Sequence, residues 1–192
     1  MAEEPERTVA DVTGRRPPPE VALRRAAATA TDAALLASLG ARLFEEAFGA
    51  ANDPADVEAF LASSYSPAKQ LAELGDPLRA AWIVESGGDA VGYALMRRHA
   101  TAASVSATDP AELQRIYVAR SLHGVGVADL LMRACVDQAR AWTADALWLG
   151  VWKRNPRAIA FYSRWGFRRV GEQRFLVGSD SQLDHVMLLS LR

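Results

Sequence analysis

The sequence predicts an α/β domain wrapped around one mixed sheet, and three observations carry that prediction. Two apolar, partly alternating segments at residues 80–85 and 90–98 are joined by Ser86-Gly87-Gly88-Asp89, which has the chemistry of a tight hairpin turn, so part of the sheet is antiparallel. A strand at residues 112–118 enters a glycine-containing loop and then a helix, and a continuous apolar run of the buried-strand kind follows at residues 146–151. Half of the 192 residues are apolar, enough to bury a single core.

The elements follow in order. Residues 1–20 mix Glu, Arg and Pro with few large apolar groups, too little burial to offset the entropy of ordering, and are expected to be a disordered tail ahead of one domain at 21–192. Residues 21–26 read as a short strand. A helix comes next, with Thr31 or Asp32 as N-cap and Leu35, Leu36, Leu39, Leu43 and Phe44 on its apolar face. Beyond Asn52-Asp53-Pro54 a second helix carries Val57, Phe60 and Leu61, and Ser66-Pro67 starts a third with Leu71 and Leu74. After the hairpin and the strand at 112–118, the loop helix occupies about 127–142. Asn155 then caps a further helix with Pro156 at its first position, and Gly166 stands where a left-handed C-terminal residue belongs. Strands at 167–177 and 183–191 close the chain. That order gives a sheet of about seven strands flanked by helices.

Composition narrows the function. Basic and acidic residues number 22 and 23, so no global field draws the chain to nucleic acid or a membrane surface, and a small molecule is the expected partner. A single cysteine cannot form an intramolecular disulfide, and no apolar run approaches the ~20 residues of a membrane span. The first twenty residues lack a signal-type apolar stretch, so a cytoplasmic location is the expectation. His99, His123 and His185 do not have metal-ligand spacing, and no metal is assigned. Cys135, near Leu131 and Ala134 on the loop helix, reads as a packed thiol, and Trp82, Trp142 and Trp148 read as core or core-edge residues.

The chemistry concentrates in the loop His123-Gly124-Val125-Gly126-Val127-Ala128. Between a strand and a helix, two glycines at spacing two let consecutive backbone N–H groups and the helix dipole face an anion, and phosphate is the natural guest. A dinucleotide fold would need a small residue three positions after Gly126, where Asp129 stands, and an acidic residue near the end of the next strand, where Gly150-Val151-Trp152 stands. A nucleoside-triphosphate loop would need Gly-Lys-Ser/Thr, and the loop has no lysine. What remains is a pyrophosphate carrier gripped by backbone.

The segment from Ile116 to Leu131 resembles the acetyl-CoA-binding segment of the GNAT superfamily of N-acetyltransferases, whose pattern is Arg/Gln-x-x-Gly-x-Gly/Ala. One letter departs from it: His123 occupies the Arg/Gln position, which implies a weaker phosphate contact at that side chain without loss of binding. The segment from Trp148 to Phe167 resembles the second GNAT signature, a strand followed by Asn-x-x-Ala-x-x-Phe-Tyr-x-x-x-Gly-Phe. The paired resemblance implies the GNAT fold, acetyl-CoA as co-substrate, and cofactor contacts from Tyr117, Val118, His123, Gly124, Val125, Gly126, Val127, Ala128, Asn155, Ala158 and Phe161. It also implies that the Tyr162 hydroxyl protonates the departing CoA thiolate. Glu112, by the same resemblance, is the base that deprotonates the amine, often through water; strand periodicity puts it on the face of Gln114, Ile116 and Val118. A bulge in this strand would free a backbone N–H at Val118 for the developing oxyanion. A packed helix face for Phe161 and Trp165, a buried tyrosine at 162 and a solvated strand-end glutamate at 112 are the structural alternatives.

Glu45, Glu46, Asp53, Asp56 and Glu58 lie on the helices that in this superfamily wall the acceptor site, and a cationic acceptor would suit them. The stretch from Phe44 to Leu61 and the ending from Phe175 to Met187 resemble the polyamine acetyltransferase branch of the GNATs. The implied reaction is direct attack of a primary amine such as spermidine or spermine on the thioester of acetyl-CoA. Acetylation of protein N-termini or lysines, or acyl-CoA binding without turnover, are the alternatives, and homodimer formation is left open.

Overall fold

The computed structural model describes residues 20–191, so all but the last residue of the expected disordered tail lies outside the described residues. A seven-stranded sheet in the order β1-β2-β3-β4-β5-β7-β6 forms the centre. Its strands are β1 (Val21–Arg25), β2 (Arg79–Ser86), β3 (Asp89–Arg98), β4 (Pro110–Val118), β5 (Ala146–Trp152), β6 (Arg168–Val177) and β7 (Asp180–Ser190). Helices α1 (Ala30–Phe48), α2 (Pro54–Ser64) and α3 (Pro67–Gly75) fall between β1 and β2, α4 (Val127–Ala141) follows β4, and α5 (Pro156–Arg164) follows β5.

Local chemistry accounts for most boundaries. Gly87 and Gly88 both take positive φ, 61° and 89°, and close the two-residue turn between Ser86 and Asp89 that the right-handed strand twist favours. Ser66 and Asn155 cap α3 and α5 through side-chain oxygens, and Asp53 does the same for α2. Gly166 has φ 89°, its N–H donates to Ser163 O and the Phe167 N–H donates to Tyr162 O, which together end α5 in a Schellman arrangement. The N-cap of α1 is Thr29, not Thr31 or Asp32. Its Oγ1 accepts from the Asp32 N–H at 3.2 Å, while the Asp32 carboxylate accepts from Ala27 N and from both terminal nitrogens of Arg24.

The two faces of the sheet carry different layers. One face packs Leu131, Met132 and Cys135 of α4 and Tyr162 of α5 against Met96, Leu113, Leu147 and Leu149. The other packs Leu36, Leu39, Leu43 and Phe44 of α1 against Ile83, Tyr93 and Leu95. The loop at residues 99–109 covers the far end of that second face, with Ala100 and Val105 on Trp148 and the indole N–H donating to Ala100 O at 2.7 Å.

Among the described residues β4 and β5 are the one parallel pair, and they stay together only briefly. Their partners are Pro110↔Ala146, Ala111↔Leu147 and Glu112↔Trp148, after which β4 continues to Val118 and β5 to Trp152 without pairing. A gap therefore opens in the middle of the sheet just beyond Glu112. Strand main chain at such a gap keeps N–H and C=O groups free for a guest.

Candidate active site

A bulge controls what β4 presents to this gap. In the β3–β4 register Leu95 faces Arg115 and Met96 faces Leu113, so Gln114 is an extra residue on β4. The bulge inverts the parity that simple alternation assigns. Leu113, Ile116 and Val118 pack with the α4/α5 layer, whereas Arg115 lies over the Tyr65 ring and Tyr117 packs with the α1 layer. Glu112 pairs with Arg97 and Trp148 on the α1–α3 face, opposite Ile116 and Val118 and not beside them.

Glu112 is mostly buried. Arg97 Nη2 stands 3.4 Å from its Oε2, yet that oxygen accepts no hydrogen bond. Burial pushes its carboxyl above the usual range, and Arg97, Arg79 and Arg115 pull the other way without cancelling the shift. Behind it Arg115 makes a two-pronged pair with Glu73 of α3, at 2.7 and 3.0 Å. These contacts remove the solvated-glutamate alternative.

Tyr162 approaches from the opposite side. It is buried on the α4/α5 face with its ring 5.9 Å from Phe167 and 5.4 Å from Phe161, and its hydroxyl has no hydrogen-bond partner among the described residues. Burial, with Cys135 close by, raises the phenol well above its ordinary range, so it is protonated at neutral pH. Cys135 is itself fully buried and its thiol is raised by burial, as a packed thiol should be. Phe161 and Trp165 are partly buried on the same layer, and the Trp165 indole donates to Asp129 Oδ1 at 2.8 Å, locking α5 to the first turn of α4.

The loop between β4 and α4 is open. Gly124 and Gly126 have φ of 82° and 94°, and nothing lies within 4 Å of where a Cβ would stand on either. Gly126 is the N-cap residue of α4 but brings no side chain, so the first N–H groups of that helix are left for an outside acceptor. His123 explains its own departure from the family letter. Its Nε2 lies 2.8 Å from Val118 O, which can only accept, so Nε2 carries the hydrogen and Nδ1 accepts from the Arg157 guanidinium. Burial first, and Arg157 as well, lower the ring's pKa and keep it neutral. The guanidinium of Arg157, from the first turn of α5, thus stands beside His123 at the edge of the loop. Asn155 Oδ1 is engaged with Ala158 N at 3.1 Å as the α5 cap.

On the α1–α3 face, Phe48 bridges the gap, edge-on to Tyr117 of β4 and to Trp152 of β5. The Tyr93 hydroxyl donates to Tyr65 Oη at 3.2 Å, and the partly buried Tyr117 ring packs at a tilt beside Tyr93 in the α1 layer. The acidic residues that the sequence offers on α1 and α2 divide by role. Glu46 accepts from Arg120 N at 2.6 Å, Asp53 caps α2, and Asp56 accepts from Ser179 N and Oγ at the tip of the β6–β7 hairpin. Glu45 and Glu58 line an open groove of about 610 Å³ with Val57 and Leu61.

The family model for the acetyltransferase (GNAT) family matches residues 41–167, which includes the bulged strand, the glycine loop and α5. The chain belongs to the GNAT acetyltransferase family. An uncharacterized N-acetyltransferase of Mycobacterium tuberculosis is 34% identical over 161 residues, spanning 84% of this chain and 99% of that protein. A streptothricin acetyltransferase of Streptomyces lavendulae is 32% identical over 109 residues, 56% of this chain and 54% of that one. The fold matches that of the PaiA N-acetyltransferase of Thermoplasma acidophilum, solved with coenzyme A, with TM-score 0.70 at 15% identity over 89% of this chain and 99% of the other.

Family membership makes the protein an acetyl-CoA-dependent N-acetyltransferase, and the residues present fit that co-substrate. The two glycines of positive φ, the uncapped N-terminus of α4 and the unpaired main chain of the gap form a backbone cradle for a pyrophosphate with a long amide-bearing arm. A Cβ at Gly126 would meet no protein atom, so the expected damage from Gly126→Val falls on the guest and on the backbone, where a β-branched residue at φ 94° is strained. Steady-state kinetics at saturating amine should show KM for acetyl-CoA raised about tenfold or more with a much smaller change in kcat. An unchanged KM would take the loop out of cofactor binding. Arg157 and Arg97 were not legible from the sequence as neighbours of His123 and Glu112, because the fold brings each to a partner remote in the chain.

Proposed function

We propose that the enzyme acetylates a small cationic primary amine such as a polyamine, with Glu112 as the base and Tyr162 as the proton donor. One observation supports the assignment of roles: Glu112, where β4 and β5 part, keeps a buried carboxylate oxygen without a hydrogen bond on the α1–α3 face, and the Tyr162 phenol is buried in the α4/α5 layer on the opposite face.

Acetyl-CoA supplies the acetyl group as a thioester. Alkyl amines are mostly protonated near pH 7, with a reference pKa of about 10, so the acceptor must lose a proton before it attacks. Glu112 has a free oxygen on the acceptor face, and burial brings its basicity nearer the working range. Tyr162 stays protonated and holds its hydrogen for the leaving sulfur, on the face where α4 and α5 close over the cofactor arm. The loop N–H groups and Arg157, held by His123, neutralise the phosphates.

For the acceptor, the resemblance of the stretch from Phe44 to Leu61 and of the chain's ending to polyamine acetyltransferases is the support. Asn52 and Asp56 tie those two regions together, Asn52 through Gln182 and Asp56 through Ser179, so both lie along one wall. A panel of di- and polyamines, monoamines, peptide N-termini and lysine peptides, assayed by thiol release, tests the proposal. The highest kcat/KM is expected for the di- and polyamines. Turnover of peptides alone would replace this reading with protein acetylation, and cofactor binding without release of thiol on any amine would replace it with a regulator.

A further inference from the structure

One buried carboxylate is used by nothing described above. Asp184 of β7 is 7% exposed and makes no hydrogen bond or ion pair among the described residues. It pairs with Trp152 and with Gln173, so all three share the α1–α3 face of the sheet. Its side chain leans back over β5, where Asp184 Oδ2 and Gln173 Nε2 stand 3.2 and 2.5 Å from the position a Cβ would take on Gly150. A bare glycine there leaves the two polar ends room over the strand. The adjacent His185 points to the other face and lies 3.5 Å from Glu172, so it does not neutralise Asp184. Burial alone raises the Asp184 carboxyl to about 6, which leaves it ionised at the pH where an N-acetyltransferase meets its amine.

Asp184 and Glu112 share this face. Glu112 pairs with Trp148, two residues before Gly150 on β5, so strand rise and strand spacing put the Glu112 and Gly150 positions roughly 8 Å apart. Phe48 and Trp152 supply apolar cover beside that span. An unpaired buried anion costs folding free energy unless a cation joins it.

We propose that Asp184, with Gln173 beside it, holds a second positive charge of the acceptor, one short alkyl spacer from the nitrogen that reacts at Glu112. This rests on the reading of Glu112 as the base and deepens it: the preferred acceptor is a dication, and Asp184 sets that preference.

Steady-state kinetics on 1,4-diaminobutane and 1-aminobutane with the wild type and Asp184→Asn test it. The variant is expected to raise KM for the diamine about tenfold or more, to change kcat/KM for the monoamine by less than about twofold, and to leave KM for acetyl-CoA unchanged. Its Tm at pH 8 should equal or exceed that of the wild type, since a disfavoured charge has been removed. Equal losses on both amines, no loss on either, or a lower Tm with uniform loss of activity would overturn the assignment. If the wild type acetylates only lysine peptides, the polyamine reading fails. Asp184 is then judged by the same ratio, on peptides with and without a second cation beside the reacting amine.

Discussion

Replacing Tyr162 with phenylalanine should lower kcat by roughly 10²-fold or more while leaving KM for acetyl-CoA within about twofold, the signature of an interaction made only as the bond to sulfur breaks. The change removes one oxygen from a side chain whose ring is packed by Phe161 and Phe167, so no cavity of consequence forms. The hydroxyl lost has no hydrogen-bond partner among the described residues, and no buried acceptor is stranded by its removal. Stability should therefore hold or rise slightly, and a thermal melt beside the kinetics separates chemistry from folding. The same absence of a partner argues against a structural hydroxyl, because a buried phenol usually finds an acceptor within the fold. A Tyr162→Phe enzyme as active as its parent would leave proton delivery to solvent and remove Tyr162 from the mechanism.

What could be read from the sequence was what depends on neighbours a few residues away. Gly87-Gly88 specified its turn because both positions need positive φ, and Asn155, Pro156 and Gly166 marked both ends of α5 by local hydrogen bonding. The strand boundaries at residues 80–98 and 146–151 followed from apolar patterning. Features decided by distant partners were not readable. Thr29 caps α1, and the Asp32 carboxylate is engaged by Arg24 of the preceding strand β1. Gln114 bulges only in register with β3, and that single extra residue moved Ile116 and Val118 to the face opposite Glu112. The Arg157 that donates to His123 stands 34 positions away in the chain. Asp184 sits in an alternating strand where an aspartate reads as solvent-facing, yet it is buried, paired with Trp152 and with its carboxylate leaning over Gly150.

Glu73→Gln is expected to cost about 3–5 kcal/mol, because it removes the counter-charge of a buried arginine without removing the arginine. Arg115 and Glu73 are 16% and 10% exposed at their side chains, and the pair is bidentate, so solvent screening protects neither charge. Arg79, 3.7 Å from the same carboxylate, loses part of its compensation too. At about 2–4 °C per kcal/mol for a domain of this size, the melting temperature should fall by roughly 10 °C. A fall below about 2 °C would show the pair to be solvent-screened despite its burial. The consequence for catalysis follows from the same charges. Arg79 and Arg115 already act to lower the Glu112 carboxyl, against the larger effect of burial. With Glu73 neutral their field at Glu112 is less compensated, the ionised carboxylate gains stability, and its pKa falls. The acid limb of kcat/KM against pH should then move to lower pH, and the base, ionised over a wider range, should be a weaker proton acceptor. Replacing Arg115 and Glu73 together by methionines removes both charges, and should recover much of the lost stability, because the cost of the single change lies in the arginine left buried and unpaired.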